Sequence, residues 1–199
     1  MNLSRYQKNE LIKFARINSQ DGLYLEVHER RVARDAEALA RELGVDPDVC
    51  WTAGLTHDLG YGLPGPSEEH PLRSQQITSE LLLDLGTEAS FIDMIGGAII
   101  NHDRKLNPLT YPLEDIVVCQ VDAGSFFKYY KGMAIWLYHM RVKNGAPLER
   151  VGRVKKILLD HADETESYLT MSEIKRRYQP YIDRFHKRIE NLEVASLLT

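Results

Sequence analysis

Helix start and stop signals recur along this chain, and strict alternation of apolar and polar residues is nearly absent. That pattern confines the fold to packed helices, because a chain without period-two segments has no half-buried strands to build into a sheet. Gly44 reads as a helix stop, and Asp46-Pro47 as an N-cap followed by proline at the first helical position. Gly86 and Thr87 mark another stop and start, and Pro112 and Pro147 each stand where a helix begins. Thr170 followed by Glu173 has capping-box form. The spacing predicts helices over about 3–18, 24–43, 47–58, 71–85, 88–102, 112–131, 133–144, 147–169 and 171–194. Residues 60–67 (GYGLPGPS) are expected to be irregular. The apolar run 116–118 fits a buried helix better than a strand. In the last helix Ile174, Tyr178, Ile182, Phe185, Ile189 and Leu192 form one stripe, suited to packing on the domain or on a second subunit.

A chain of 199 residues suits a single domain, here with a core over about 20–131 and a helical extension over about 133–199. At this size roughly 70% of the unfolded surface can be buried without disulfide or metal staples. Hydrophobic residues at 43% and charged residues at 27% exclude disorder as the general reading. The best apolar run, 95–100, is far short of the ~18 residues a membrane span needs. The segment MNLSRYQKNE lacks the apolar stretch of a signal peptide, so a cytoplasmic address is expected. Cys50 and Cys119 read as buried thiols of a reducing compartment. A formal charge of −4 does not favour non-specific binding to a nucleic-acid backbone. The basic residues Arg150, Arg153, Lys155, Lys156 and 175–177 are followed or flanked by Asp160, Asp163, Glu164 and Glu166, which fits a mixed-charge helix exterior.

His57-Asp58 closes the apolar segment WTAGLTHDLG, and such a pair alone is a weak signal. It gains weight from four further residues turned toward apolar company. His28 shares a face with Leu25, Val32, Ala36, Leu39 and Leu43. His70 heads a helix with Ser74, Ile77, Leu81 and Leu85 on its face. His102 closes one bearing Phe91, Ile95, Ala98 and Ile99, and Asp122 follows the apolar run 116–121. A single inward histidine is more often a hydrogen-bonded core residue than a ligand. A buried unpaired carboxylate costs several kcal/mol and needs a cation or donors, the ordinary alternative being an arginine. One shared cation would satisfy all of these residues together. Imidazole and carboxylate donors without thiolate suit one or two divalent transition metal ions: Fe, Mn, Zn, Co or Ni. One ion needs only His28, His57, Asp58 and Asp122; His70 and His102 serve a second if Asp58 bridges.

In its order His28, His57-Asp58, Asp122, the chain resembles the HD-domain superfamily of metal-dependent phosphohydrolases over roughly residues 20–130. His70-Pro-Leu-Arg-Ser and Ile99-Ile-Asn-His102 resemble the additional histidines of its dinuclear members. The layout is similar to that of small dinucleoside-tetraphosphate-hydrolysing members. It departs from the cyclic-di-GMP phosphodiesterase branch, because Asn101-His102-Asp103 lacks a double histidine and the GYP element is absent. The resemblance implies an all-α helical bundle, here with an additional C-terminal helical pair. It also implies a first metal on His28, His57, Asp58 and Asp122, and a second on Asp58, His70 and His102.

A phosphohydrolase of this kind would act on a nucleotide or other phosphate ester with metal-activated water as nucleophile. Asp58 is the expected catalytic residue, as ligand and as acceptor of the water's proton. Arg73, Arg104 and Lys105 lie near ligands in sequence and are candidate phosphate contacts, with solvated surface charge as the plain alternative. Residues 62–69 are a candidate rim of the pocket, and Glu68 or Glu69 a candidate proton donor against the simpler reading of a charged loop. The expected partner is a small phosphorylated substrate, with no membrane and a possible homo-oligomer through the C-terminal helices. Two other activities fit the ligand set or the helical tail: a di-iron oxygenase, and a non-catalytic nucleotide-binding regulator.

Overall fold

Local chemistry sets the helix ends first. Asp46 accepts from the backbone N–H of Asp48 (2.9 Å) and Val49 (3.3 Å), so the proline at 47 opens its helix where the missing N–H costs nothing. Gly44, left-handed at φ 73°, closes the preceding helix with its N–H on the Ala40 carbonyl. Ser4 and Gln7 form a reciprocal capping box at the N-terminal helix.

The structure, a computed structural model, describes residues 3–140 and 145–189. Among these residues it holds eight principal helices and no strand. They are α1 (Arg5–Asn18), α2 (Arg30–Leu43), α3 (Pro47–Thr56), α4 (His70–Asp84), α5 (Ala89–Asn101), α6 (Leu113–Met140), α7 (Pro147–Ser167) and α8 (Ser172–Ile189). A helical turn, Gly22–Tyr24, runs through a wide π-type turn, Leu25–Glu29, directly into α2. Two tight turns, Leu59–Gly62 and Ser67–Glu69, shape the segment expected to be irregular.

The chain divides into two compact units, residues 1–122 and 123–199. In the first, α3 packs on α2 and on α5, and α4 pairs with α5. Gly54 sets the closest of these approaches. A Cβ there would stand 2.9 Å from the Ala33 Cα, so only glycine lets the two backbones meet. Val32, Ala36, Val49, Ala53, Leu55, Ile95, Ile99 and the run 116–119 fill the core between these helices. The helix α1 belongs to this unit as well, tied to α3 by Asp48, which accepts from the Leu3 N–H (2.7 Å) and the Lys8 ammonium (2.6 Å).

In the second unit the stripe Ile174, Tyr178, Ile182, Phe185 and Ile189 is buried; Leu192 lies outside the described residues. Phe185 meets Phe127 and Tyr130 edge-on at 5.4 Å, so the stripe packs on its own chain, the first of its two expected uses. Basic residues on these helices have acidic neighbours, Lys156 with Asp160 (2.6 Å) and Lys175 with Glu166 (3.1 Å).

The helix ends differ from the sequence reading in two informative places. The two helices expected over 112–131 and 133–144 follow one another within α6 across a kink at Tyr129, whose backbone is non-helical (φ −116°, ψ 18°); residues 141–144 lie outside the described set. The break falls at Tyr129 and not at Gly132, where a glycine costs a helix only about 1 kcal/mol relative to alanine. The helix expected over 47–58 stops at Thr56. No helix among the described residues is long and apolar enough to cross a membrane.

Candidate metal centre

The end of α3 creates the centre. On a continuing helix His57 and Asp58 would project about 100° apart. Instead His57 caps α3, and Asp58 leaves the helix at φ −103°, ψ 1°, in the sparsely used bridge region. Both side chains are buried and face the same point. His28 arrives from the wide turn ahead of α2, His70 from the first turn of α4, His102 from the end of α5, and Asp122 from α6 just beyond the buried run. All six residues selected in the sequence meet here.

Asp58 divides the cluster into two lobes. Its Oδ2 lies 3.3 Å from His28 Nε2 and 3.4 Å from His57 Nε2. Its Oδ1 lies 3.2 Å from His70 Nε2 and 3.4 Å from His102 Nε2. Asp122 Oδ1 completes the first lobe, 3.1 Å from His28 Nε2 and 3.5 Å from His57 Nε2. Three overlapping triads result: His28–His57–Asp58, His57–His102–Asp122 and Asp58–His70–His102. In each, the potential ligand atoms lie within 4.8 Å of one another.

Three imidazoles are held by their other nitrogen. His57 Nδ1 pairs with the Gly54 carbonyl (2.9 Å), His70 Nδ1 with Ser67 (2.8 Å) and His102 Nδ1 with Ile99 (2.6 Å). A carbonyl only accepts, so each Nδ1 carries a proton, and Nε2 is the nitrogen turned inward and open to a ligand role. Nε2 atoms then face one another at 3.2 Å (His28, His57) and 3.1 Å (His70, His102). Nitrogens so close need a proton or a metal cation between them, and the donor set of each lobe fits a divalent transition metal.

The titration behaviour tells the same story. Burial would raise Asp58, but His57, His102, His28 and His70 hold its carboxyl well below the usual range. Asp122 is lowered likewise, by His57 and His28 against burial. Burial would lower His28, yet hydrogen bonds to Asp122 and Asp58 push it up to about 10. The metal-free site thus favours a proton on His28.

The candidate phosphate contacts fare differently. Arg73 donates from Nε to the Gly60 carbonyl (3.1 Å) and from Nη1 to the Pro66 carbonyl (2.9 Å), so its guanidinium straps the 60–69 segment. Arg104 and Lys105 are exposed just after His102, and Glu68 and Glu69 are exposed on the segment before His70. The thiols stay out of the cluster: burial pushes Cys119 up to about 12 and Cys50 higher still.

Three neighbours were not selected in the sequence. Tyr24 donates its hydroxyl to Asp58 Oδ2 at 2.5 Å. Tyr61 stacks on His70 with ring centres 3.8 Å apart. Glu29 is fully buried with neither carboxylate oxygen in a hydrogen bond, and burial raises it to about 8. The spacing of Tyr24 four residues before His28 is a readable signal, as is Tyr61 in the turn after Asp58. Glu29 beside Arg30 and Arg31 reads as surface charge and offers none.

The family model described as HD domain matches residues 26–125, a span that contains all six clustered residues. No curated protein and no solved structure matches.

Proposed function

Because the chain belongs to the HD-domain family, we propose that it is a metal-dependent phosphohydrolase, acting on a nucleotide or another phosphate ester with water as nucleophile. The observation that carries this reading is the division of Asp58, whose two oxygens each face a separate pair of histidine Nε2 atoms. That arrangement suits two ions joined by one carboxylate, the spacing used to clamp a phosphoryl group. When bound, the ions supply Lewis acidity that makes water nucleophilic near neutral pH and offsets charge growing on the phosphoryl oxygens.

The chain's own groups do the rest. His28, His57, Asp58 and Asp122 would hold one ion, and His70 and His102, with Asp58 shared, would hold the other. The carbonyls of Gly54, Ser67 and Ile99 keep three imidazoles in the ligating tautomer. Asp58 acts as a ligand first: with four histidines around it and a carboxyl held well below the usual range, it is a weak proton acceptor. Arg104 and Lys105, exposed and following His102 in sequence, are the cations we assign to substrate phosphate. Arg73 serves that role only by giving up its strap.

Elemental analysis of anaerobically purified protein, with a panel of nucleotides and phosphomonoesters under Mn²⁺, Co²⁺, Fe²⁺ and Mg²⁺, tests the reading. Two ions per chain and phosphate release are expected. Oxygen consumption by the iron form without phosphate release, or nucleotide binding without turnover under every metal, would overturn it. Replacing His70 or His102 is expected to lower the metal count from about two toward one.

A further inference from the structure

We propose that Tyr24 is a positioning residue of this centre: its hydroxyl fixes the rotation of the Asp58 carboxylate so that one oxygen faces each pair of histidines. The inference rests on the two-ion reading above.

An ionised carboxylate only accepts, so the 2.5 Å contact has Tyr24 as donor and Asp58 Oδ2 as acceptor. Oδ2 is the oxygen facing His28 and His57. A carboxylate oxygen has two lone pairs, so one hydrogen bond on Oδ2 leaves the other free for an ion. The terminal torsion of aspartate is broad and roughly two-fold, so the side chain's own preference does not choose the plane a bridging carboxylate needs. The histidines cannot choose it either once they are ligands, because their Nε2 lone pairs then go to the ions. A donor outside the ligand set can, and Tyr24 is one.

Tyr24 is itself held in place. Its ring is 5% exposed and lies 5.0 Å from the His28 ring at a 39° tilt. Its backbone N–H donates to Asp21 Oδ1 at 2.8 Å, where Asp21 caps the turn that leads into Leu25–Glu29. One short, capped segment therefore delivers both a ligand of the first lobe and the group that orients the bridge.

The loss of such a partner typically weakens metal binding 10–100-fold. Tyr24→Phe keeps the ring and its burial and removes only the hydroxyl. Wild type and variant, stripped of metal, would be titrated with Zn²⁺ against a competing chelator and with Co²⁺ in the visible range. We expect two ions in the wild type and at least one of them bound about 10–100-fold more weakly in the variant. We also expect an altered Co²⁺ spectrum, a readout that simple packing around Tyr24 would not move. Unchanged affinities and an unchanged spectrum in a folded variant would overturn the role of Tyr24. A wild-type count below two would overturn the two-ion reading, and this inference with it, whatever the variant did.

Discussion

Within the cluster, the two side-chain oxygens of Asp58 face different pairs of histidines, so its removal should be felt in both lobes at once. Asp58→Ala is expected to abolish metal retention and hydrolysis together while circular dichroism stays helical; metal analysis of the purified variant checks this. His28 sets the pH dependence. With its folded value raised from 6.5 to about 10, the metal-free protein carries a proton there across the neutral range. The stabilisation from that proton is full below about pH 6.5 and is lost as pH rises through about 10. An entering ion must displace it, so apparent affinity should climb by about tenfold per pH unit between those values, with proton release. Calorimetry in buffers of different ionisation enthalpy would show the released proton; pH-independent affinity would contradict it. At this scale the sequence was most legible. His28, His70, His102 and Asp122 each stood out as ligand-type groups on apolar faces. Tyr24 and Tyr61 did not: their spacing from His28 and Asp58 is readable, but spacing alone does not separate an aromatic that packs from one that donates.

At the scale of the element, geometry comes from helix ends and close crossings. The approach of α3 to α2 at Gly54 also places the carbonyl that orients His57, so packing and metal chemistry share one residue. Gly54→Ala must push the Ala33 backbone away, a change expected to cost about 1–3 kcal/mol in urea unfolding and to weaken metal binding in the same variant. The 60–69 segment offers a second case. Arg73 ties it to α4, the Gly60 N–H donates to Ser74 Oγ (2.8 Å), and Tyr61 lies flat on His70. Arg73→Ala should therefore loosen the lobe that holds His70 and His102 and spare the other. The expected result is a weakened second ion with the first retained, read by metal titration. The sequence marked this segment as irregular from its glycines and prolines but could not show what it packs on, since that depends on Arg73 reaching back across a turn. The wide turn Leu25–Glu29 was invisible for a different reason: its residues suit an ordinary helix as well as a turn with an extra residue.

For the whole molecule, the six candidate ligands fall within residues 28–122, all inside the first compact unit and inside the segment matched by the HD-domain family. The all-helical class was legible because punctuation and period agree along the chain. The division at residue 122 was not, because it falls between Asp122 and Ala123 where no proline, glycine pair or polar run marks a boundary, whereas the sequence changes character only near Gly132. Metal binding should act on the first unit through its core. The ligands come from α3, α4, α5, α6 and the turn before α2, so opening any of these breaks the site. An ion held at 100 times its dissociation constant then adds about 2.7 kcal/mol to the opening free energy. Chelation is accordingly expected to speed hydrogen exchange of the buried amides of α3 and α5 by about 100-fold, where exchange reports the open population. Peptide-resolved exchange with and without chelator measures this. Unchanged protection in α3 and α5 would mean that the ligands are gathered without any energetic link to the helices that carry them, which the buried positions of His57 and His102 do not allow.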